Sequence, residues 1–488
     1  MVRFPFDNSY ARLPEGFFSN AQPARVETPR LLAFNAELAD QLSIEHQAAK
    51  EDELARLFSG QQLAEGAQPI AQAYAGHQFG QFVPQLGDGR AILLGEVVND
   101  RGERYDVQLK GAGRTAFSRG GDGLAPIGPV LREFLVSEAM HALGVPTTRA
   151  LAAVTTGLTV MRDRPLPGAI LTRVAASHLR IGTVQFFAAR DNREALHTLV
   201  DYALKRHYPS EPIDTTPAMA LLKAVCEQQA RLVAKWMSLG FIHGVMNTDN
   251  MTLSGETIDY GPCAFMDQYS PQTRFSSIDH GGRYAYGNQP IIAQWNLARL
   301  AEALLQAEDQ PDASLEEAKT LIEAFKPRYE QCWLANFNRK LGLSNVEEGD
   351  KERIDRLLAL MQAGAADFTQ TFRALSHWLG SADLAVFPEG LQAVAELPSW
   401  LTECRQRLSQ QSEDLETVAR AMQQVNPYVI PRNHKVEAAL SAAEQGDLEP
   451  FEQMLAAVRR PYDDSESLAE YSEPAPAQER VYQTFCGT

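Results

Sequence analysis

The sequence predicts an α+β protein of two lobes, a small β-rich one followed by a larger helical one. Three observations carry this. Between residues 70 and 175 short β-like runs alternate with glycines. After about residue 176 apolar residues recur at helical spacing. Between the helical stretches lies a polar loop, HGVMNTDNMTLSGETIDYG, at 243–261.

The elements follow in order. Residues 1–69 read as an N-terminal extension, a Pro-dotted arm and then a helical patch, ELADQLSIEHQAAKEDELARLF. Residues 70–176 form the β-rich lobe. FVPQL, AILLGEVV and YDVQLKG read as three antiparallel strands, joined by GDGR at 87–90 and the turn NDRGE. A Gly- and Arg-rich loop, GAGRTAFSRGGDGLAPIG (111–128), precedes a helix opened by Pro129 and closed by Gly144. TRALAAVTTG and the segment around GAILTRVA supply two more strands. Residues 177–460 form the helical lobe. Its clearest helix has Thr216 as N-cap and Pro217 as first residue, with an apolar stripe of Leu221, Leu222, Val225, Leu232, Val233, Trp236 and Met237. Gly240 ends it and delivers the chain to His243. Residues 461–488 are acidic and rich in Pro, Ala and Ser, the composition of a mobile tail.

At 488 residues, with 44% hydrophobic and 22% charged content, the chain can bury a large core. A net charge of −17 argues against nucleic acid or an anionic membrane as partner. Arginines gathered between residues 90 and 180 leave a small anionic ligand open. No run approaches the roughly 20 apolar residues of a membrane span, and MVRFPFDNSYARLPEGFF has no signal core, so a cytoplasmic protein is expected. The five cysteines are too scattered for a disulfide scaffold or a zinc site. Cys486 reads equally as an idle exposed thiol or a redox-active one.

The loop at 243–261 carries the chemistry. Asp249, Asn250 and Asp259 place two carboxylates and an amide within eleven residues. This is how kinase-like sites hold Mg²⁺ against a nucleotide's phosphates. Asn250 stands five residues after Val245, the offset of the metal-binding Asn in H-R-D-x-x-x-x-N, and Asp259-Tyr260-Gly261 parallels D-F-G. Val245 occupies the place of the usual base and cannot accept a proton. Asp249 inherits that role by elimination. A bare turn cap at Asp249-Asn250 is the rival reading.

Upstream, Gly87 and Gly89 would let backbone N–H groups approach phosphate, with Arg90 adding a forked cation, although G-x-G between strands is usually only a turn. Lys110 ends the third strand, where a kinase-like lysine touches phosphate and pairs with a helix carboxylate. Glu133 and Glu138 are both candidates. They point about 140° apart on a helix, so at most one faces Lys110. The apolar neighbours of Glu138 favour it; Glu133 lies nearer the helix start. Arg173 and Arg180, with Arg119 beside Asp122-Gly123, exceed what a triphosphate needs from one glycine loop and one lysine. Each alone reads as a surface ion pair. Three functions fit: nucleotidyl transfer, γ-phosphoryl transfer, or a silent nucleotide-binding scaffold.

YAGHQFGQFVPQLGDGRAILLGE (74–96), QLKGAGRTAFSRGGDG (108–123), HGVMNTDNM (243–251), DYGPCAFMD (259–267), GRYAYGNQP (282–290), WNL (295–297) and NPYVIPRNH (426–434) together resemble the selenoprotein O family, also called YdiU. The resemblance covers nearly the whole chain. It implies a protein-kinase-like bilobal fold and protein AMPylation, in which AMP passes from ATP to Ser, Thr or Tyr hydroxyls of proteins and pyrophosphate leaves. UMP transfer is attributed to bacterial members. ATP is held flipped relative to kinases. Carried over by motif, Gly87, Gly89, Arg90, Lys110, Asp122, Gly123, Arg173, Arg180 and Asp259 would contact ATP. Asn250 and Asp259 would hold Mg²⁺ or Mn²⁺, Asp249 would accept the proton, and Glu133 would pair with Lys110. Relatives carry selenocysteine at the antepenultimate position, occupied here by Cys486. Some bacterial relatives join that residue by a regulatory disulfide to a cysteine in the activation segment. Here 268–290 holds no cysteine, and Cys263 is the one nearby candidate.

Overall fold

A computed structural model of the protein describes residues 2–210 and 215–485. It is a mixed α/β structure around an antiparallel sheet. The strands are β1 (Phe18–Asn20), β2 (Arg30–Phe34), β3 (Ile70–Gln72), β4 (Gly76–Gln78), β5 (Gln81–Val83), β6 (Ala91–Val98), β7 (Arg104–Lys110), β8 (Ala125–Pro126), β9 (Arg149–Met161) and β10 (Pro165–Ala175). The main sheet runs β1-β3-β6-β7-β10-β9-β2, with β8 also paired to β10. Residues 1–69 therefore supply both β1 and β2, at opposite edges of the sheet.

The β6–β7 hairpin turns at Asn99–Gly102. The Asn99 side chain accepts from the Arg101 and Glu103 amides, and Gly102 takes a φ of 79°. Its register sets Ala91 opposite Lys110. FVPQL is not a third strand of this sheet, as the alternation suggested. Its first residues lie in β5, which pairs only with β4, and the chain then leaves at Pro84. Proline cannot donate to a ladder, and this short hairpin folds over the polar loop instead.

Helices α1 (Ala36–Gln41) and α2 (Glu51–Phe58) cover the β2 edge. Helix α3 (Ile127–Ala142) starts two residues before Pro129 and is buried on nearly every side against β9 and β10. Next come α4 (Ile181–Ala188), α5 (Arg193–His207) and α6 (Pro217–Leu239). The Thr216 hydroxyl accepts from the Met219 amide, and Gly240 closes α6 with a left-handed φ of 70°. Around α6 pack α7 (Gln289–Leu305) and α8 (Pro311–Lys340). Beyond them lie α9 (Asp350–Ala363), α10 (Phe368–Ser381), α11 (Glu389–Gln392), α12 (Leu397–Leu408) and α13 (Leu415–Gln423). Helices α14 (Asn433–Glu444) and α15 (Glu449–Val458) return to α3.

The expected mobile tail is anchored. Leu468, Ser472, Ala475 and Thr484 are buried. Thr484 donates from its amide to Phe275 (2.7 Å) and from its hydroxyl to Pro262 (2.6 Å), and Arg432 holds the Ser472 carbonyl at 2.9 Å. Composition signals solvation but cannot register such scattered anchors. Cys486 falls outside the described residues. Among those described, no helix is long and apolar enough to cross a membrane.

Candidate active site

Helix α6 ends against two short strands, β11 (Phe241–Ile242) and β12 (Ala264–Phe265), which pair antiparallel and bracket the polar loop. His243 braces that loop. Its Nε2–H donates to the Ile258 carbonyl at 2.9 Å, and Nδ1 accepts from the Val245 amide. Burial lowers its pKa, which keeps the ring neutral for this task. Asn250 closes the loop by donating from Nδ2 to the Val245 carbonyl at 3.0 Å.

Lys110, at the end of β7, donates to Glu133 (2.5 Å) and to Asp259 (2.7 Å). Glu133 also takes Arg173 at 3.1 Å. Two cations and two carboxylates thus meet from β7, β10, α3 and the loop. Glu138 faces the other way, onto Arg149 (2.7 Å) and Asn35 (2.7 Å). The apolar neighbours of Glu138 in sequence had pointed to it. They reflect burial on all sides of α3, which does not fix direction. Asp259 has a φ of 69°, an uncommon conformation for a residue with a side chain. Burial pushes its pKa up, but Lys110, with Arg90 and Arg173, outweighs that and holds the carboxylate far below its usual range.

Asp249 lies in one turn of 3₁₀-helix and is 8% exposed. Among the described residues its Oδ1 has no hydrogen-bond partner. Burial pushes its pKa up to about 6, against the pull of Arg180, and the Asp259 charge adds to the rise. Arg180 donates to the Asp249 backbone carbonyl (3.0 Å), so its fork does not pair with that carboxylate. It lies over the Tyr74 ring at 4.3 Å, and its Nη2 is buried without a partner among the described residues. The β4–β5 hairpin covers Asp249: His77 donates from its amide to Thr248 (2.6 Å) and Phe79 to Asn247 (3.0 Å). A Cβ on Gly76 would sit 2.9 Å from Asp249 Oδ1.

Gly87 has a φ of 71°, and a side chain there would run into Phe117. Thr115 donates to the Asp88 carbonyl at 2.6 Å and Ser118 to that of Gly89, so the loop 111–123 is strapped over GDGR. Asp122 points away from the ionic cluster. It pairs with Arg162 at 2.7 Å, and Gly123 accepts from the Gly113 amide at 3.0 Å. A cavity of about 250 Å³ opens beside Arg90, Lys110 and Asp259, floored by Val130 and Leu440, with Phe485 on its wall.

Several participants escaped the sequence reading. Gln108 accepts from Arg173 (2.6 Å); it shares the Lys110 face of β7 by strand alternation, a signal that was available. His178 accepts from Arg173 Nε at 3.2 Å and donates from Nδ1 to Asp106 at 2.9 Å. A lone histidine in AASHL gives no such signal.

A strand lysine bound to a helix glutamate and a loop aspartate, beside a buried second aspartate, defines an enzyme that handles nucleotide phosphates. The sequence pattern of the family described as protein adenylyltransferase SelO matches residues 1–459. Relatives described as protein nucleotidyltransferase YdiU include one from Rhizobium etli (strain CIAT 652), 55% identical over 490 residues and covering 99% of this chain and 97% of its own. Another, from Rhodopseudomonas palustris (strain BisB18), is 53% identical over 489 residues and covers both chains fully. A third, from Rhizobium meliloti (strain 1021), is 54% identical over 494 residues with the same coverage. The chain belongs to the SelO protein adenylyltransferase family, and it is a nucleotidyltransferase that uses a nucleotide substrate.

Cys263 is fully buried, and burial pushes its thiol up to about 12, outside the reactive range.

Proposed function

We propose that the protein transfers AMP from ATP, and UMP from UTP, to Ser, Thr or Tyr hydroxyls of other proteins. It does so in a protein-kinase-like cleft between a β-rich lobe (70–176) and a helical lobe (177–460). The observation that carries this reading is the junction of Lys110, Glu133 and Asp259, set beside a buried Asp249 whose Oδ1 has no hydrogen-bond partner among the described residues.

The acceptor oxygen attacks the α-phosphorus, the α–β anhydride bond breaks, and pyrophosphate departs. Asp249 takes the hydroxyl proton; burial has already raised its pKa towards neutrality, where a general base works best. Lys110 and Arg90 meet the α-phosphate region at the cavity. Arg173, held by Glu133, and Arg180, beside Asp249, would add positive charge for the phosphates and the leaving pyrophosphate. Gly87 and Gly89 shape the turn against the phosphates. Asp122 and Gly123 contribute by holding the loop 111–123, a smaller role than direct contact.

The donor set suits a hard divalent cation. Among the described residues Asp249 Oδ1 is a buried oxygen without a partner, and Asp259 and Asn250 are oxygen-bearing side chains of the same loop. Among the described residues no three His, Cys, Asp or Glu side chains form a cage. None is needed where phosphates complete the shell. Asn250 and Asp259 would hold Mg²⁺ or Mn²⁺, which supplies charge neutralisation at the phosphates.

Incubation with α- and γ-labelled ATP tests the proposal. Label from the α position should enter co-expressed proteins, with the mass of an adenylyl group, and Asp249→Ala and Asp259→Ala should abolish it. Incorporation from the γ position alone would make the protein a kinase. ATP-dependent stabilisation without either label would leave a silent scaffold.

A further inference from the structure

A second cavity, of about 290 Å³, lies near the ends of α3, α6 and α8. Ala142, at the end of α3, lines it. Nine residues separate Ala142 from Glu133, about 14 Å along the helix, so this cavity is distinct from the Lys110 site. Three cations line it, Lys235, Arg339 and Lys340, and no carboxylate does. Among the described residues none of the three side chains has an ion pair or hydrogen bond. In a chain with 62 acidic and 45 basic residues, three neighbouring cations without a counter-charge are unexpected.

Lys340 is the sharpest anomaly. It is 2% exposed, and its ammonium has the faces of Phe372 (4.2 Å) and Phe368 (5.5 Å) for company. An ammonium sealed in this way is costly unless something neutralises it. Burial, and then the Lys235 charge, lower the pKa of Lys340. Burial and Arg339 bring Lys235 down to about 8. Lys340 thus senses Lys235 and Lys235 senses Arg339, and all three residues line the cavity. Cations at helix C-termini offset the macrodipole, but that effect is about half a charge per end. It does not account for a sealed lysine beside two others. Neutral donors are also present: the amides of Asn336 and Gln424 line the cavity, while the Tyr462 hydroxyl donates to the Leu143 carbonyl.

We propose that this cavity binds a phosphate-type oxyanion, held between Lys235, Arg339 and Lys340 with the neutral side chains completing its hydrogen bonds. Free inorganic phosphate and the pyrophosphate released by nucleotidyl transfer share this chemistry.

The test uses the full chain. Calorimetric titration and thermal unfolding compare phosphate and pyrophosphate with chloride at equal ionic strength. Both oxyanions should bind and raise Tm where chloride does not, and the tighter one identifies the source. Lys235→Met and Arg339→Gln, which alter the less buried cations, should each weaken phosphate binding at least tenfold. In chloride Lys235→Met should be no less stable than the parent, because it relieves repulsion. Asp259→Asn should leave phosphate binding unchanged. The proposal is overturned if phosphate acts no better than chloride, if both cation variants keep parental affinity, or if Asp259→Asn alone abolishes binding. A loss of stability in chloride with Lys235→Met, and no phosphate effect, would assign the cations to the helix ends instead.

Discussion

Glu133 and Glu138 sit five residues apart on one helix, both nearly buried, and the proposed site requires them to behave differently. Glu133 has a side chain 5% exposed and is held by Lys110 (13% exposed) and Arg173 (4%). In Glu133→Gln both cations stay buried. Lys110 is left with Asp259, and Arg173 with Gln108 and His178. Breaking one side of a buried pair costs about 3–5 kcal/mol, and the lower figure applies because glutamine keeps the shape and an acceptor oxygen. Lys110 also loses the group that aims it. A displacement of about 1 Å at a reacting centre costs roughly 100-fold in rate. Glu138→Gln loses Arg149 and Arg459, so its stability should fall by a similar ~3 kcal/mol. Nothing connects Glu138 to Lys110, so transfer per folded molecule should hold. Urea unfolding measures the first quantity, and initial rates of α-label transfer at saturating ATP measure the second. Equal rate losses in the two variants, or an unimpaired Glu133→Gln, would refute the reasoning.

Three further outcomes are expected. Chelation should abolish transfer, and Mg²⁺ or Mn²⁺ should restore it, as read by label incorporation. Gly87→Ala combines a left-handed φ with a collision against Phe117, so it should raise the KM for ATP several-fold while far-ultraviolet circular dichroism stays unchanged. The fold should also lose stability below neutral pH through His178, which burial holds at about 4, against 6.5 unfolded, despite its bond to Asp106. The unfolded chain takes up the proton first as pH falls, so this stability is full above pH 6.5 and is lost towards pH 4. A separation of that size corresponds to roughly 3 kcal/mol. Urea midpoints should drop between pH 7 and 5, and His178→Gln should flatten the drop.

What the sequence revealed was local. The cap at Thr216, the stop at Gly240, the turn at Asn99–Gly102 and the apolar runs of β6, β7, β9 and β10 depend on neighbours within a few residues, where propensity and spacing act. The partner of Lys110 was not local. Helix α3 is buried on nearly all sides, so its amphipathic direction is weak, and only the position of β7 chooses Glu133 over Glu138. β5 failed for a related reason. Alternation marks a strand but not its partner, and Pro84 denies this one a place in the main sheet. Asp122 belongs to a glycine-rich loop whose composition suggests phosphate contact, yet Arg162, forty residues away, claims the carboxylate.

The two loop aspartates show how one short motif can divide its labour. Asp259 and Asp249 are ten residues apart and chemically identical, yet their surroundings drive them in opposite directions. Lys110 stands 2.7 Å from Asp259 and keeps it charged at any working pH, as the metal-holding role proposed for it would require. Arg180 donates to the Asp249 backbone carbonyl, and the carboxylate lies under the β4–β5 hairpin with one oxygen unbonded among the described residues. A carboxylate so placed can take up a proton near neutrality, and its neighbour cannot. Paired acids with separated pKa values are how a single site obtains both a fixed charge and a base. With Asp249 as the proposed base, the loop would not need an acid at Val245. That backbone is already engaged by His243 and Asn250, which close the turn on which Asp249 is carried.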